Sequence, residues 1–295
     1  MANIKVYRED YIPTPRQQLW NTFCENYLAL GGLWFLIFLL ILIVFHPLLT
    51  SYASDMQNIN AMLTPPLWSA SGQIEYILGT DDLGRDLYSR LIEGSALTFG
   101  YALLIVLFSF ALGSTIGSLL AMIKGFKGNI LGHLLDTMLS IPSLLMAILI
   151  VAMMGPSQKS VFIAISLAMI PQFIFAIYNK VRTEINKEYI VAAKLDGANY
   201  RQIVVFVLLP NLWDTVIVQT TYSLSAAILD IATLGFLGLG GEASSPEWGT
   251  MVAQGIDNLW TASWSWILPG LAILLTVLAV NLVGDGLRSA LQPKG

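Results

Sequence analysis

Six apolar stretches, at 28–49, 97–123, 133–154, 160–178, 213–237 and 266–287, dominate this sequence. A helix needs about 20 residues to cross the hydrocarbon core of a bilayer, and each stretch is about that long. In lipid the backbone has no water to bond with, so each stretch must close its own hydrogen bonds as a helix. Only 12% of the 295 residues are charged, against about a quarter in soluble domains. The expectation is an all-α membrane protein with six transmembrane helices. The first stretch is too long for a signal-peptide core and reads as an uncleaved span. The chain then divides into residues 1–96, holding a polar N-terminal segment, the first span and an outer loop, and residues 97–295, a core of five helices.

Placement of the cations orients the spans. If the N-terminus is cytoplasmic, the inner segments hold Lys5, Arg8, Arg16, Lys124, Lys127, Lys180, Arg182, Lys187, Lys194, Arg201, Arg288 and Lys294, twelve of the fifteen Lys and Arg residues. Only Arg85, Arg90 and Lys159 fall outside. Cytoplasmic loops carry the excess of positive charge, so both termini are expected inside. The outer loops, 50–96 and 238–265, hold nine carboxylates: Asp55, Glu75, Asp81, Asp82, Asp86, Glu93, Glu242, Glu247 and Asp257. Such a surface attracts basic partners or cargo at short range, or is simply solvated. Trp260 and Trp264 read as an interfacial belt.

The segment 180–211 is the most cation-rich loop. A helix is expected over 182–195, stopping at Asp196-Gly197, where glycine tolerates the left-handed turn. Asn199 is placed to cap a second helix, with Gln202 three residues on in capping-box position, and Pro210 ends it. A short helix-turn-helix of this kind suits a groove on a partner. The same pattern is also open to an amphipathic hairpin lying in the interface.

Motifs decide between these readings. Val191-Ala192-Ala193, Gly197 and Val207-Leu208-Leu209-Pro210 resemble the EAA coupling loop of ABC-transporter permeases, which reads Glu-Ala-Ala, three residues, Gly, nine residues, Ile-x-Leu-Pro. Val191 replaces the glutamate and Val207 the isoleucine, with the spacing intact and Glu188 one helical turn earlier. The segments LGTDDLGRDLYSR (78–90), GFLGLG (235–240), SPEWGTM (245–251) and NLVGDGLR (281–288) resemble the C-type permeases of dipeptide, oligopeptide and nickel importers. IPSLLMAILIVAMMGPS and the aspartate of AILDIATLGFLGLG resemble the Sap-type peptide permeases.

The resemblance implies a type I importer permease. Glu188, Val191, Ala192, Ala193, Lys194, Leu195, Asp196, Gly197, Ala198 and Pro210 would form the ATPase-coupling loop. It also implies pairing with a B-type permease, ABC ATPase subunits that bind the ATP and Mg, a periplasmic substrate-binding protein, and location in the bacterial inner membrane. The expected cargo is peptide, with cationic peptides, nickel or a polyamine as further candidates. An ion-coupled secondary transporter and a non-transporting membrane scaffold are the rival classes.

Asp230 lies well inside the fifth stretch, where a carboxylate costs about 2.5–3.5 kcal/mol on insertion scales and must face protein or water. It reads either as a pathway-lining group for cationic cargo or as a helix–helix hydrogen bond. Pro142, Pro171 and Pro269 are candidate kinks. Gly31-Gly32 and Gly113-Ser114 with Gly117-Ser118 offer small faces for helix contact. Cys24 is the single cysteine, which excludes an internal disulfide. There is no GxxxxGK[ST] phosphate loop and no Ser-His-Asp, Cys-His or HExxH constellation. The chain therefore reads as non-catalytic, with no cofactor or metal of its own and no nucleic-acid partner.

Overall fold

The computed structural model describes residues 14–50, 52–121, 123, 126–199, 202–203, 209–242 and 244–291. Among the described residues, five helices are long and apolar enough to cross a membrane, or six if one bent pair is a single span.

Helix α1 (Pro15–Glu25) starts from a capping box, with Gln17 N–H donating to Thr14 Oγ1 and Thr14 N–H to Gln17 Oε1. Asn26 then caps α2 (Tyr27–Leu49) by accepting from Ala29 N–H at 3.2 Å. The next long helix begins earlier than the predicted 97. Asp86 caps α3 (Leu87–Ser95) by accepting from Ser89 N–H at 2.9 Å, and α3 runs through a π turn (Ala96–Gly100) into α4 (Tyr101–Ala121). Hydropathy misses the first ten residues of this span because Ser89, Arg90 and Ser95 lie in it, buried against protein rather than facing lipid. Position 96/97 accordingly falls inside a continuous helix.

The predicted span 133–154 is two helices, α5 (Phe126–Leu139) and α6 (Ser143–Met154), meeting at 79°. Pro142 lacks an N–H and pushes Ile141 out of helical conformation, so this is a break rather than a kink. At 1.5 Å per residue, α6 is too short to cross alone.

Helix α7 (Gln158–Glu184) is the best-buried span and packs most extensively on α4. The approach depends on glycine: a Cβ on Gly113 would lie 2.4 Å from Phe173 Cβ, and one on Gly117 would lie 2.7 Å from Ile174 O. Of the other predicted glycine pair, Gly32 meets Ala279 while Gly31 faces open space. Pro171 and Pro269 sit within continuous helices.

After α8 (Glu188–Leu195) come α9 (Trp213–Phe236), the short α10 (Trp248–Ile256) and α11 (Trp264–Leu291). Helix α11 touches α1, α2, α9 and α10, which ties the N-terminal helices to the last ones. One apolar core, with Phe99, Ile105, Ile165, Met169, Phe173, Ile228 and Trp248, fills the bundle; a second, with Ile177, Tyr178, Val181, Ile190 and Leu212, sits at the α8 end.

Trp264 is half-buried: its indole N–H donates to Thr80 O at 3.2 Å and its ring packs against the core. Trp260, 96% exposed, does stand clear of the protein. The acidic loops are not merely solvated, since Asp81, Asp86 and Glu247 are buried, as are Arg85 and Arg90.

Candidate functional site

The loop at 180–211 contains a helix mounted on the end of the bundle. The expected helix over 182–195 is split: α7 runs to Glu184, the chain turns, and α8 begins at Glu188. Glu184 braces the turn, and Lys187 N–H donates to its carbonyl at 3.0 Å. It is 3% exposed and accepts from Lys187 Nζ at 2.8 Å and from the Tyr189 hydroxyl at 2.5 Å. One side chain thus folds the start of α8 back onto the end of α7. Asn186 Nδ2 donates to Arg182 O at 3.0 Å, satisfying a carbonyl of the last turn of α7. Burial, and then the bond to Glu184, raise the Tyr189 phenol to about 12, so it stays a donor at neutral pH.

The inward face of α8 is fixed by Ile190, which is fully buried in the second core. Its outward face is free. Glu188, Ala192 and Asp196 are exposed, Val191 is 48% exposed and Leu195 84%. An isolated leucine that exposed, on a helix held by buried contacts, presents an apolar knob to whatever docks there. The helix ends in a Schellman motif: Gly197 has φ +84° and Ala198 N–H donates to Ala193 O at 3.0 Å. A Cβ on Gly197 would meet nothing within 4 Å, so this turn is open toward solvent.

The expected capping box is present, with Gln202 N–H donating to Asn199 Oδ1 at 2.9 Å and Asn199 N–H to Gln202 Oε1 at 2.8 Å. Ile203 is buried in the same core as Ile190. Arg201, Val207 and Leu208, and the side chains of Lys194 and Pro210, lie outside the described residues, as does 292–295. Pro210 itself falls in a short 3-10 turn (Leu209–Leu212) that leads into α9.

Asp230 sits on α9, 8% exposed, and its Oδ2 has no hydrogen-bond partner among the described residues. It shares one stripe of α9 with Gln219 and Ser223, at i, i+4 and i+11, and Gln219 Nε2 donates to Ser223 Oγ at 3.2 Å. The structure does not bring Asp230 together with the α8 residues.

At the opposite end, the charged residues of the motif segments 78–90 and 245–251 are built into the protein. Arg85 donates to Asp81 Oδ2 at 2.7 Å and to Gln254 Oε1 at 3.0 Å. Arg90 donates to the carbonyls of Ser54, Ser244 and Ser245 and to Gln254 Oε1. The i, i+4 spacing of Asp81 and Arg85 was visible in the sequence, but nothing there showed that Arg90 reaches loops 36 and 154 residues away. Glu247, the N-cap of α10, accepts from Thr98 Oγ1, Gly249 N–H, Thr250 N–H and Thr250 Oγ1 at 2.8–3.1 Å. Burial pushes its carboxyl above the usual range against these four bonds.

Comparison with known proteins places these features. A family profile described as "binding-protein-dependent transport system inner membrane component" matches residues 113–294, and one described as "N-terminal TM domain of oligopeptide transport permease C" matches 14–66. The chain belongs to the binding-protein-dependent transport permeases. It is 42% identical over 97% of both chains to a peptide transport system permease protein, SapC, of Escherichia coli O6:H1. It is 45% identical to a di/tripeptide transport system permease protein, DppC, of Pseudomonas aeruginosa, over 96% of this chain and 93% of that one. A chain of the inward-facing MetNI methionine ABC transporter superposes with a TM-score of 0.55 at 20% identity, covering 69% of this chain and 97% of that one. That likeness shows the fold, the type I ABC importer permease. As a permease the chain is a multi-span, non-catalytic membrane component that works with ATPase and substrate-binding partners.

Proposed function

We propose that this permease carries peptides across the bacterial inner membrane, using ATP hydrolysed by subunits that dock on α8. The observation that carries this is the mount of α8: a short helix fixed from within by Ile190 and Glu184, with Val191 and Leu195 left exposed. A helix fixed this way passes a push on its outer face to the spans beneath rather than yielding to it. Val191–Ala198 is the contact segment, and closure of the ATPases drives a rigid-body switch of packed helices.

Peptide is the cargo favoured by the names of both kinds of relative, with cationic peptides a natural subset. Asp230 lines the pathway, since an unpaired carboxylate oxygen in a span is retained at a cost that contact with cationic cargo offsets. The pathway forms against a second, B-type permease across a pseudo-twofold axis. The α8 end and both termini face the cytoplasm, in line with the clustering of lysine and arginine there. A periplasmic substrate-binding protein docks on the loops at the α10 end.

Gentle purification of the chain expressed with its genomic neighbours, followed by mass spectrometry and an ATPase assay, tests this reading. Recovery of a second permease and P-loop ATPases, with hydrolysis stimulated by a peptide-loaded binding protein, is the expected result. A chain that emerges alone under several mild detergents overturns it.

A further inference from the structure

Four separated stretches meet at the α10 end of the bundle around a cleft of ≈ 850 Å³. Residues 53–55 follow α2, Glu93 and Leu97 come from α3 and the π turn, 156–159 join α6 to α7, and the loop from α9 to α10 supplies Gly241, Glu242 and Ser244–Pro246. The ionisable groups lining it are Asp55, Glu93, Glu242 and Lys159, three carboxylates against one ammonium. None of the four has a salt bridge among the described residues; Glu242 accepts only a long bond of 3.4 Å from Ser244 Oγ. Ser245, in the same wall, is 9% exposed and its hydroxyl has no partner among the described residues. The wall thus holds a buried polar atom as well as unpaired charges.

The walls are held from behind. Arg90 is fully buried, and its guanidinium donates to Ser54 O at 3.2 Å on one wall and to Ser244 O at 3.1 Å and Ser245 O at 3.3 Å on the other. Taking a guanidinium out of water is costly unless it is bonded in this way. Two loops far apart in sequence are thereby pinned to one cation, which pre-shapes the cleft. Its volume lies in the range of ligand pockets, about 300–1,000 Å³.

A smaller pocket of ≈ 20 Å³, room for about one water, shares Leu97, Gln158 and Ser245 with the cleft and is lined further by Val161, Ile231 and Glu247.

We infer that this cleft is the socket for a lysine- or arginine-bearing loop of the substrate-binding protein, whose basic side chains sit against Asp55, Glu93 and Glu242. The inference rests on the reading that the α10 end faces the binding protein. Charges of this kind steer encounter and set its salt dependence more than they set raw affinity.

The test uses the complete transporter in nanodiscs with its own binding protein, comparing wild type with the triple variant Asp55→Asn, Glu93→Gln, Glu242→Gln. Docking of the binding protein should weaken by about tenfold, the scale of three exposed charge pairs. Most of the loss should lie in the association rate, with a flatter dependence on ionic strength and with hydrolysis in the absence of binding protein unchanged. The single charge reversal Glu242→Lys should weaken docking further than Glu242→Gln, which keeps the proposal testable if the triple variant assembles poorly. Unchanged docking and salt dependence in variants that assemble overturn the inference. So does normal docking with selective loss of cationic-peptide transport, which would make the cleft a cargo site. If wild type itself neither recruits ATPases nor responds to the binding protein, the proposed function fails, and that result is distinct from failure of the socket alone.

Discussion

Lys180 Nζ lies 2.7 Å from Asp214 Oδ2, so the last turns of α7 are tied to the first turn of α9. The same ammonium is 3.6 Å from Glu184 Oε1, and Glu184 holds Lys187 and Tyr189 at the start of α8. A chain of charged contacts therefore runs from the proposed ATPase contact to the helix that carries Asp230. Replacing Lys180 by Met should change overall stability little, because such partly exposed pairs contribute about 0–1 kcal/mol. Coupling is where the loss should appear, with transport per ATP falling severalfold while hydrolysis persists. Transport and hydrolysis measured together in proteoliposomes check this, and an unchanged ratio would remove the contact from the coupling route.

Gly197→Asp places a charge and a Cβ in a turn at φ +84° that is open on its outer side. A non-glycine residue in this region costs roughly 1–2 kcal/mol, too little to unfold the spans. The variant should insert normally and lose most ATPase binding in a pull-down. Gly197→Asn, which tolerates the left-handed turn without a charge, should retain more. Normal binding by the aspartate variant would count against α8 as the docking helix.

Asp230→Asn removes the charge and keeps the shape. Insertion should be normal or slightly easier, since the lone carboxylate costs about 2.5–3.5 kcal/mol in the membrane. Uptake of cationic peptides should fall more than uptake of neutral ones. Equal uptake of both by the variant would leave the carboxylate without a charge role.

Gly113→Leu forces a side chain into the α4–α7 crossing, where even a Cβ would be 2.4 Å from Phe173 Cβ. Overpacking of this kind typically costs about 1–3 kcal/mol, and more where backbone cannot move. The yield of monodisperse protein in detergent and its melting temperature should both drop. The same change at Gly31, which faces open space, should leave both intact.

Glu247 offers a pH test. Its folded-state value is raised above 4.5 by burial. The stability it contributes is therefore fully present below that value and is lost as the pH rises through the raised one. The difference in melting temperature between wild type and Glu247→Gln should shift against wild type over that window. Throughout it, the variant should start from lower stability, having exchanged an acceptor of four bonds for an amide. A difference independent of pH would mean that the carboxyl does not titrate in that range.

The order of the spans, an interruption at Pro142, the end of α8 at Gly197 and the Asn199–Gln202 cap were legible in the chain, because each depends on local pattern; the turn that separates α7 from α8 and the start of the second span at Leu87 were not. The EAA-like spacing likewise placed Val191, Ala192, Ala193 and Gly197 on one segment, and that is where the protruding helix is found.

Tertiary structure alone decided which charges are buried, because burial depends on residues brought together from distant parts of the chain. Arg90 reads in the sequence as a loop cation, yet it is enclosed by Ser54, Ser244, Ser245 and Gln254, and the span it begins is longer than hydropathy shows. Glu184 reads as one acid among many, and becomes the pivot of α8 only because α7 ends where Lys187 and Tyr189 can turn back onto it. The helical frame follows from the mismatch between apolar side chains and water, which the chain carries locally. The clamp, the pivot and the outer cleft follow from desolvated polar groups finding partners across the fold.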